Sequence, residues 1–396
     1  MLSVNRQKLG GNKAQAVPNA IISQLKVELG HFLSNPTLFL IFVLAPIFYG
    51  LFYAYPYSAE VPRKVPVAVV DLDRTKSSRG LSQMLDSAEN TRVSCAAASF
   101  EEARDAFFER QAYGILIIPE GFQRKLLRGE AANLPLYTDG SYLLYYKQSF
   151  TAVQTVAATM GAGVTLQRLA ALGAGGAAAQ GVYTAVTLNS TALYNPVGGY
   201  ATYVLPAVFV LICHQILIAG ISMSTADECN HLRFYGNIAP PYIRLSAKLL
   251  FYMYIAVLQS LFLFCVTLPL FKIPCNGWLP DILLLLLPFY LAVILIGIIL
   301  GSLLRFSGSS IIYVATTSIP LLFISGVPWS KLAMPQWVQA LRVMLPSTHG
   351  IEGFVRVFRE GASLAEVSGS VFSLWLIVAV LMPVALYRIK QIRCEM

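Results

Sequence analysis

Charge is what this sequence has least of. Only 12% of its 396 residues are Asp, Glu, Lys or Arg, about half the roughly 25% of soluble domains. That scarcity argues against an ordinary soluble chain. Histidine occurs four times, at 31, 214, 231 and 349. No HExxH, GxSxG or GxxxxGK[ST] occurs, so zinc-protease, serine-hydrolase and phosphate-loop ATPase chemistry find no support. The six cysteines (95, 213, 229, 265, 275 and 394) lack metal-ligand spacing. Residues 1–35 carry Arg6, Lys8, Lys13 and Lys26 and no small-residue cleavage site behind an apolar core, so no secretory signal is read there.

What is present is apolar. Hydrophobic residues make up 56%, and the mean hydropathy is +0.62. Uncharged runs cover Leu38–Tyr55, Tyr200–Ala226, Leu249–Phe271, Ile282–Leu304, Phe306–Ser330 and the stretch between Glu366 and Arg388. Each is long enough for a membrane crossing, which takes about 20 residues of helix. The expected fold is a polytopic α-helical membrane protein with six transmembrane helices. The net charge is +9, which reports cytoplasmic anchoring; nucleic-acid binding is not expected. Arg233, Arg244 and Lys248, then Arg305, then Arg388, Lys390 and Arg393 flank span ends. Six crossings put all of them on the cytoplasmic side, with both termini.

Before the first span, Ile21, Ile22, Leu25, Leu29, Phe32 and Leu33 share a helical face, and Gln24, Lys26, Glu28 and His31 lie away from most of them. This predicts an interfacial helix on the cytoplasmic leaflet. Between spans one and two, strands are read at Val65–Val70, Arg92–Ala96, Gly114–Ile118 and Leu134–Tyr137. Helices are read at Ser77–Ser87, Phe100–Arg110 and after Pro119. Their alternation predicts an inserted extracytoplasmic α/β domain, followed by an Ala- and Gly-rich helix from Tyr142 to about residue 179. Ser325–Gly350 is apolar but broken by Pro328, Pro335 and Pro346. It reads as short outer helices dipping into the membrane, with Trp329 and Trp337 at headgroup level.

The stretch VAVVDLDRTKSSRG, Val67–Gly80, has the look of a haloacid-dehalogenase phosphatase, with Asp71 as nucleophile and Asp73 as acid–base. No acidic pair follows a downstream strand to hold Mg²⁺, and Glu101–Glu102 sits where a helix starts. The reading preferred here is a strand end whose Asp residues cap a turn and helix. No span contains Asp, Glu, Lys or Arg, residues that ion-coupled transporters keep in the membrane despite their cost. The polar groups there are neutral, among them His214, Gln215, Gln259, Thr316, Thr317 and Ser318. They serve either helix–helix hydrogen bonding or a substrate path. If the protein transports, its energy comes from elsewhere.

Several segments together resemble one family. VPVAVVDLDRTKSSRGL (Val65–Leu81) is similar to its first outer strand and helix, and Ala112–Ser141 to its next landmark. LYNP (Leu193–Pro196) matches the motif before span two. SGVPWSKLAMPQWVQALRVMLP (Ser325–Pro346) resembles its outer re-entrant helices. The family is the permease subunits of type-2 ABC exporters, in the subgroup with a large outer domain. The family usually has Glu-Arg then Gly-Thr after span two; here Asp227–Glu228 keeps the acidic start, without the rest.

The expected organisation is then as follows: 1–36, a cytoplasmic N-terminus with the interfacial helix; 37–55, span one; 56–199, the extracytoplasmic domain; 200–226, span two; 227–248, a cytoplasmic coupling loop. Spans three, four and five follow at 249–271, 282–304 and 306–328, then outer re-entrant helices at 329–366, span six at 367–387 and a tail at 388–396. The resemblance implies a bacterial inner-membrane exporter subunit without its own catalytic, cofactor or metal site. ATP and Mg²⁺ belong to separate cytoplasmic ATPase subunits. A second permease subunit, identical or not, completes the membrane part, and a periplasmic adaptor with an outer-membrane channel is a further partner. Asp227, Glu228, His231, Leu232, Arg233 and Phe234 are expected to couple to the ATPase. Phe42, Phe48, His214, Gln215, Thr316 and Phe323 are expected along a path for hydrophobic or amphipathic substrate. The alternative is a non-transporting membrane sensor or assembly scaffold.

Overall fold

A computed structural model describes residues 11–58, 61–171, 193–195, 198–230 and 239–391. The chain divides into two compact units. One is Met1–Ser58 with Leu193–Met396; the other is Ala59–Ala192.

The first unit is helical. Five of its helices are long and apolar enough to cross a membrane: Pro36–Tyr57, Tyr200–Glu228, Pro241–Leu270, Leu279–Gly301 and Ser368–Gln391. Tyr200–Glu228 is the most enclosed of them and Ser368–Gln391 the least. Small residues let backbones approach. A Cβ at Gly301 would come within 2.4 Å of the Ser222 carbonyl oxygen, and one at Gly220 within 2.2 Å of the Phe42 ring. Two helices contain π-helical turns, Leu40–Leu44 and Leu261–Thr267. Each lies within a few residues of a proline, Pro46 or Pro269, whose missing N–H disturbs the helical ladder.

In two places the helix bounds differ from the expected ones. The run at 306–328 forms only Ser309–Ile324, 16 residues, or about 24 Å of helix against a hydrocarbon core of about 30 Å. Gly326, in the left-handed region at φ +94°, follows its end. The third apolar helix starts at Pro241, well before Leu249. Arg244 and Lys248 therefore belong to the helix, and the loop expected at 227–248 is shorter at both ends.

After Ile324 the chain breaks into short helices, Gln336–Val343 and Pro346–Glu360, each preceded or opened by proline. Pro346–Glu360 buries Ile351, Phe354, Val357 and Phe358, while Glu352 pairs with Lys331 and Arg342.

The second unit carries a four-stranded sheet in the order β2-β1-β3-β4. Its strands are β1 Val65–Asp71, β2 Thr91–Ala97, β3 Gly114–Ile118 and β4 Leu136–Thr138. β1 runs parallel to β2 and β3, and β4 is antiparallel to β3. β1 is a near-continuous Val/Ala run because helices cover both faces of the sheet. On one face Val67 and Val69 pack with Leu81, Leu85, Phe122 and Val153. On the other, Ala68 and Val70 pack with Ala103 and Ile115.

Candidate functional site

The helix Gly11–Ser34 turns a mixed face to the protein, with Leu25 and Phe32 packed against the apolar core. Its apolar residues Ile22, Leu29 and Leu33 are exposed, whereas Gln24 and Glu28 are buried. A helix lying against lipid does this: apolar groups face the acyl chains, and polar groups turn to protein.

Glu28 thereby enters a buried ion network. Lys248 Nζ lies 2.9 Å from Glu28 Oε1 and 3.1 Å from Glu228 Oε2. Arg244 Nε donates to Glu228 Oε1 at 3.0 Å, and its Nη2 approaches the same oxygen. Arg244 Nη1 reaches the Ile389 carbonyl oxygen at 3.5 Å, in the last helix. None of the four charged residues exceeds 2% exposure. The set balances two carboxylates against two cations, which makes burial tolerable. Arg244 and Lys248 share a helix face through their i, i+4 spacing. Pro240–Pro241 sets where that helix begins. Burial pushes the Glu28 carboxyl above its ordinary range, against the pull of Lys248.

A second layer surrounds the network. Asn35 Nδ2 donates to Asp227 Oδ2 at 3.1 Å, while Asn35 Oδ1 accepts from the Thr37 and Leu38 amides at 3.0 and 3.3 Å. Asn35 thus caps the first apolar helix and holds the end of the second. His31 Nε2 lies 3.8 Å from Asp227, and Nδ1 lies 3.3 Å from Ser224 Oγ. Burial, then Lys248, lowers the His31 pKa; Asp227 and Glu228 oppose this.

Of the residues expected to couple, Asp227 is half-buried and Glu228 buried. His231, Leu232, Arg233 and Phe234 lie outside the described residues. Glu228 faces the protein interior, where it ties together the two helix ends that flank 231–240. The network's other members, Glu28, Arg244 and Lys248, were missed by reading spans as uncharged runs. The available signal was the Arg-x-x-x-Lys spacing just after Pro-Pro.

The path residues divide into two sets. Phe48, Thr316 and Phe323 are exposed. Phe42, His214 and Gln215 are buried within this chain. Phe42 packs against Gly220, Phe32 and Tyr252. His214 stacks on Phe289, with ring centroids 6.1 Å apart. Thr316 Oγ1 donates to its own helix, at the Ile312 carbonyl oxygen.

In the second unit, Asp71 and Asp73 are occupied by local hydrogen bonds. Ser78 Oγ donates to Asp71 Oδ2 at 2.6 Å, and the Arg74 amide to Oδ1 at 2.9 Å. Thr75 Oγ1 donates to Asp73 Oδ2 at 2.6 Å, and the Gln123 amide to the same oxygen at 3.0 Å. Ligands of open α/β sheets sit at the carboxyl ends of strands near helix N-termini. Here Asp73 itself fills that anion position. No group of three or more metal-ligating side chains occurs among the described residues.

No curated protein matches the chain. A family model described as "ABC-2 family transporter protein" matches residues 37–387.

Proposed function

Since this chain belongs to the ABC-2 transporter family, whose members are membrane transport subunits working with an ATPase, we propose that it is the permease of an exporter. It moves a hydrophobic or amphipathic substrate outward across a bacterial inner membrane, with ATP and Mg²⁺ bound by separate cytoplasmic ATPase subunits. Ser309–Ile324 with its flanking residues makes the sixth crossing, and both termini are cytoplasmic. Two permease subunits assemble, and the unit 59–192 lies outside, where it guides substrate or meets a periplasmic adaptor.

The observation that carries the reading is the buried Glu28–Lys248–Glu228–Arg244 network. It joins both helices that flank 231–240 to the interfacial helix. A push on the segment 231–240 therefore moves three elements together, as a soluble motor acting on a membrane protein requires. Within 231–240, Leu232 and Phe234 are apolar residues and His231 and Arg233 polar ones.

The test is Leu232→Asp with Phe234→Asp. Insertion is expected to persist, while co-purification of the ATPase or substrate-stimulated ATP turnover falls severalfold. Unchanged values in both assays would move the coupling role to the helix Gly11–Ser34. An ATPase that binds and turns over while no lipophile moves would mark the chain as an assembly scaffold.

A further inference from the structure

A groove of about 500 Å³ lies between the helices Pro241–Leu270 and Leu279–Gly301. Leu261, Leu283 and Leu287 are exposed at its rim, and Phe264, Leu286 and Phe358 are buried in its floor. Along the first helix the lining runs from Met253 to Pro269, about 24 Å of helix. Half the hydrocarbon core of a bilayer is about 15 Å, so the groove takes a whole acyl chain lengthwise. Its volume equals about 17 waters at ~30 Å³ each, and a methylene group is close to a water in size.

Among the described residues no charged side chain lines the groove. Its hydroxyls are satisfied within the protein: Tyr290 Oη lies 2.6 Å from Ser260 Oγ, which donates to the Ala256 carbonyl oxygen at 2.8 Å. The hydroxyls thus call for no hydrogen bond from a ligand. Charge appears beyond one end only. Lys272 is exposed there. Its amide donates at 2.9 Å to the carbonyl oxygen of Pro269, a lining residue. Its φ of +60° lies in the left-handed region that Gly fills without strain, yet this position carries a cation. Asp281, in the first turn of Leu279–Gly301, is offset by that helix's own amino end. Trp278, 69% exposed, stands between the lining residues Gly277 and Leu279, and indoles settle at headgroup level.

We propose that the groove holds one acyl chain of a phospholipid from the leaflet at that end, with the lipid's phosphate paired to Lys272. A long apolar body with a cation at its mouth has the order of a phospholipid, tail then anion. Lipid tails are as apolar as the groove, so the chain alone gains little by leaving the bilayer, and the phosphate decides retention. The site stands apart from the export reading, because binding is measured without ATPase or nucleotide.

The full chain, stripped of lipid in a non-ionic detergent, is photolabelled with a phosphatidic acid carrying a diazirine partway along one acyl chain. The matching diacylglycerol, which differs by the phosphate alone, is the second probe, and adducts are mapped by mass spectrometry. Saturable labelling of Leu261 and Leu283 is expected, at roughly fivefold lower concentration for the phosphatidic acid. Labelling of Phe372 and Leu376, exposed on Ser368–Gln391, should rise without saturating. Lys272→Gln removes the preference between the probes. Leu283→Trp fills the rim and abolishes groove labelling by both. If that variant does not fold, Lys272→Gln, at an exposed position, decides the matter. Groove labelling that does not saturate, equal labelling by the two probes, a preference that survives Lys272→Gln, or groove labelling that survives Leu283→Trp would overturn the proposal. Loss of groove labelling on dimerisation would do so as well, and would assign the face to a second copy of this chain.

Discussion

Lys248 shows how a residue at the edge of an apolar run becomes a core residue. Read along the chain, it ends a polar loop. In the fold it is fully enclosed, bridging Glu28 and Glu228. Replacing a buried ion pair outright is often neutral, but removing one partner leaves an unmatched charge and costs about 3–5 kcal/mol. Lys248→Met is therefore expected to lower the thermal unfolding midpoint in detergent sharply. Adding Glu28→Gln removes the stranded carboxylate, so the double variant should unfold at a higher temperature than the single one. A double variant no more stable than Lys248→Met would show that the pair does not act as a unit.

At the scale of elements, the informative piece is the helix Gly11–Ser34. Its docking depends on a polar strip, and His31 makes that docking sensitive to pH. Burial first, and Lys248 second, holds the His31 pKa below its ordinary 6.5. In the unfolded chain His31 protonates near pH 6.5, but in the folded state it resists protonation. Stability from this group is thus whole above about pH 6.5 and is lost as pH falls from there through the folded value. The unfolding midpoint should decline between pH 7.5 and 5.5, and His31→Gln should flatten the decline. Parallel curves for the two proteins would assign the pH dependence to other groups. The amphipathic pattern of this helix was legible in the sequence. That Gln24 and Glu28 are buried beside Leu25 and Phe32 was not, because their partners lie far away in the chain.

At the scale of the whole molecule, the outward surface of the helical unit is apolar. Phe48 and Phe52 stack with ring centroids 5.0 Å apart and are both exposed, as are Ile312, Thr316, Ile319 and Phe323. Lipid or a second subunit covers such faces. In the two-subunit exporter proposed above, cysteines placed at Thr316 in both subunits should cross-link, while a control pair on Ser368–Gln391 at Phe372 should not. The reverse pattern would move the subunit contact to the last helix. Of the six residues expected along a path, only Phe48, Thr316 and Phe323 remain available to such an arrangement.

The sequence by itself determined the class of this protein. Scarce charge and long apolar runs require a bilayer, because so much apolar surface has no other solvent. Apolar strands separated by Ser/Thr-started helices likewise dictated the α/β unit, since those signals are local: Thr75 caps Lys76–Ser87 and Ser99 caps Phe100–Phe108. Only the tertiary structure decided which polar groups are enclosed. Glu28, Glu228, Arg244 and Lys248 are separated by up to 220 residues in the chain, and beyond the i, i+4 pair Arg244–Lys248 no spacing rule connects them. Gln259 meets Phe42 only because two helices pack where Pro46 has freed a carbonyl. Burial, ion pairing and the sidedness of a helix are properties of neighbours, and neighbours across a fold are not written in local pattern.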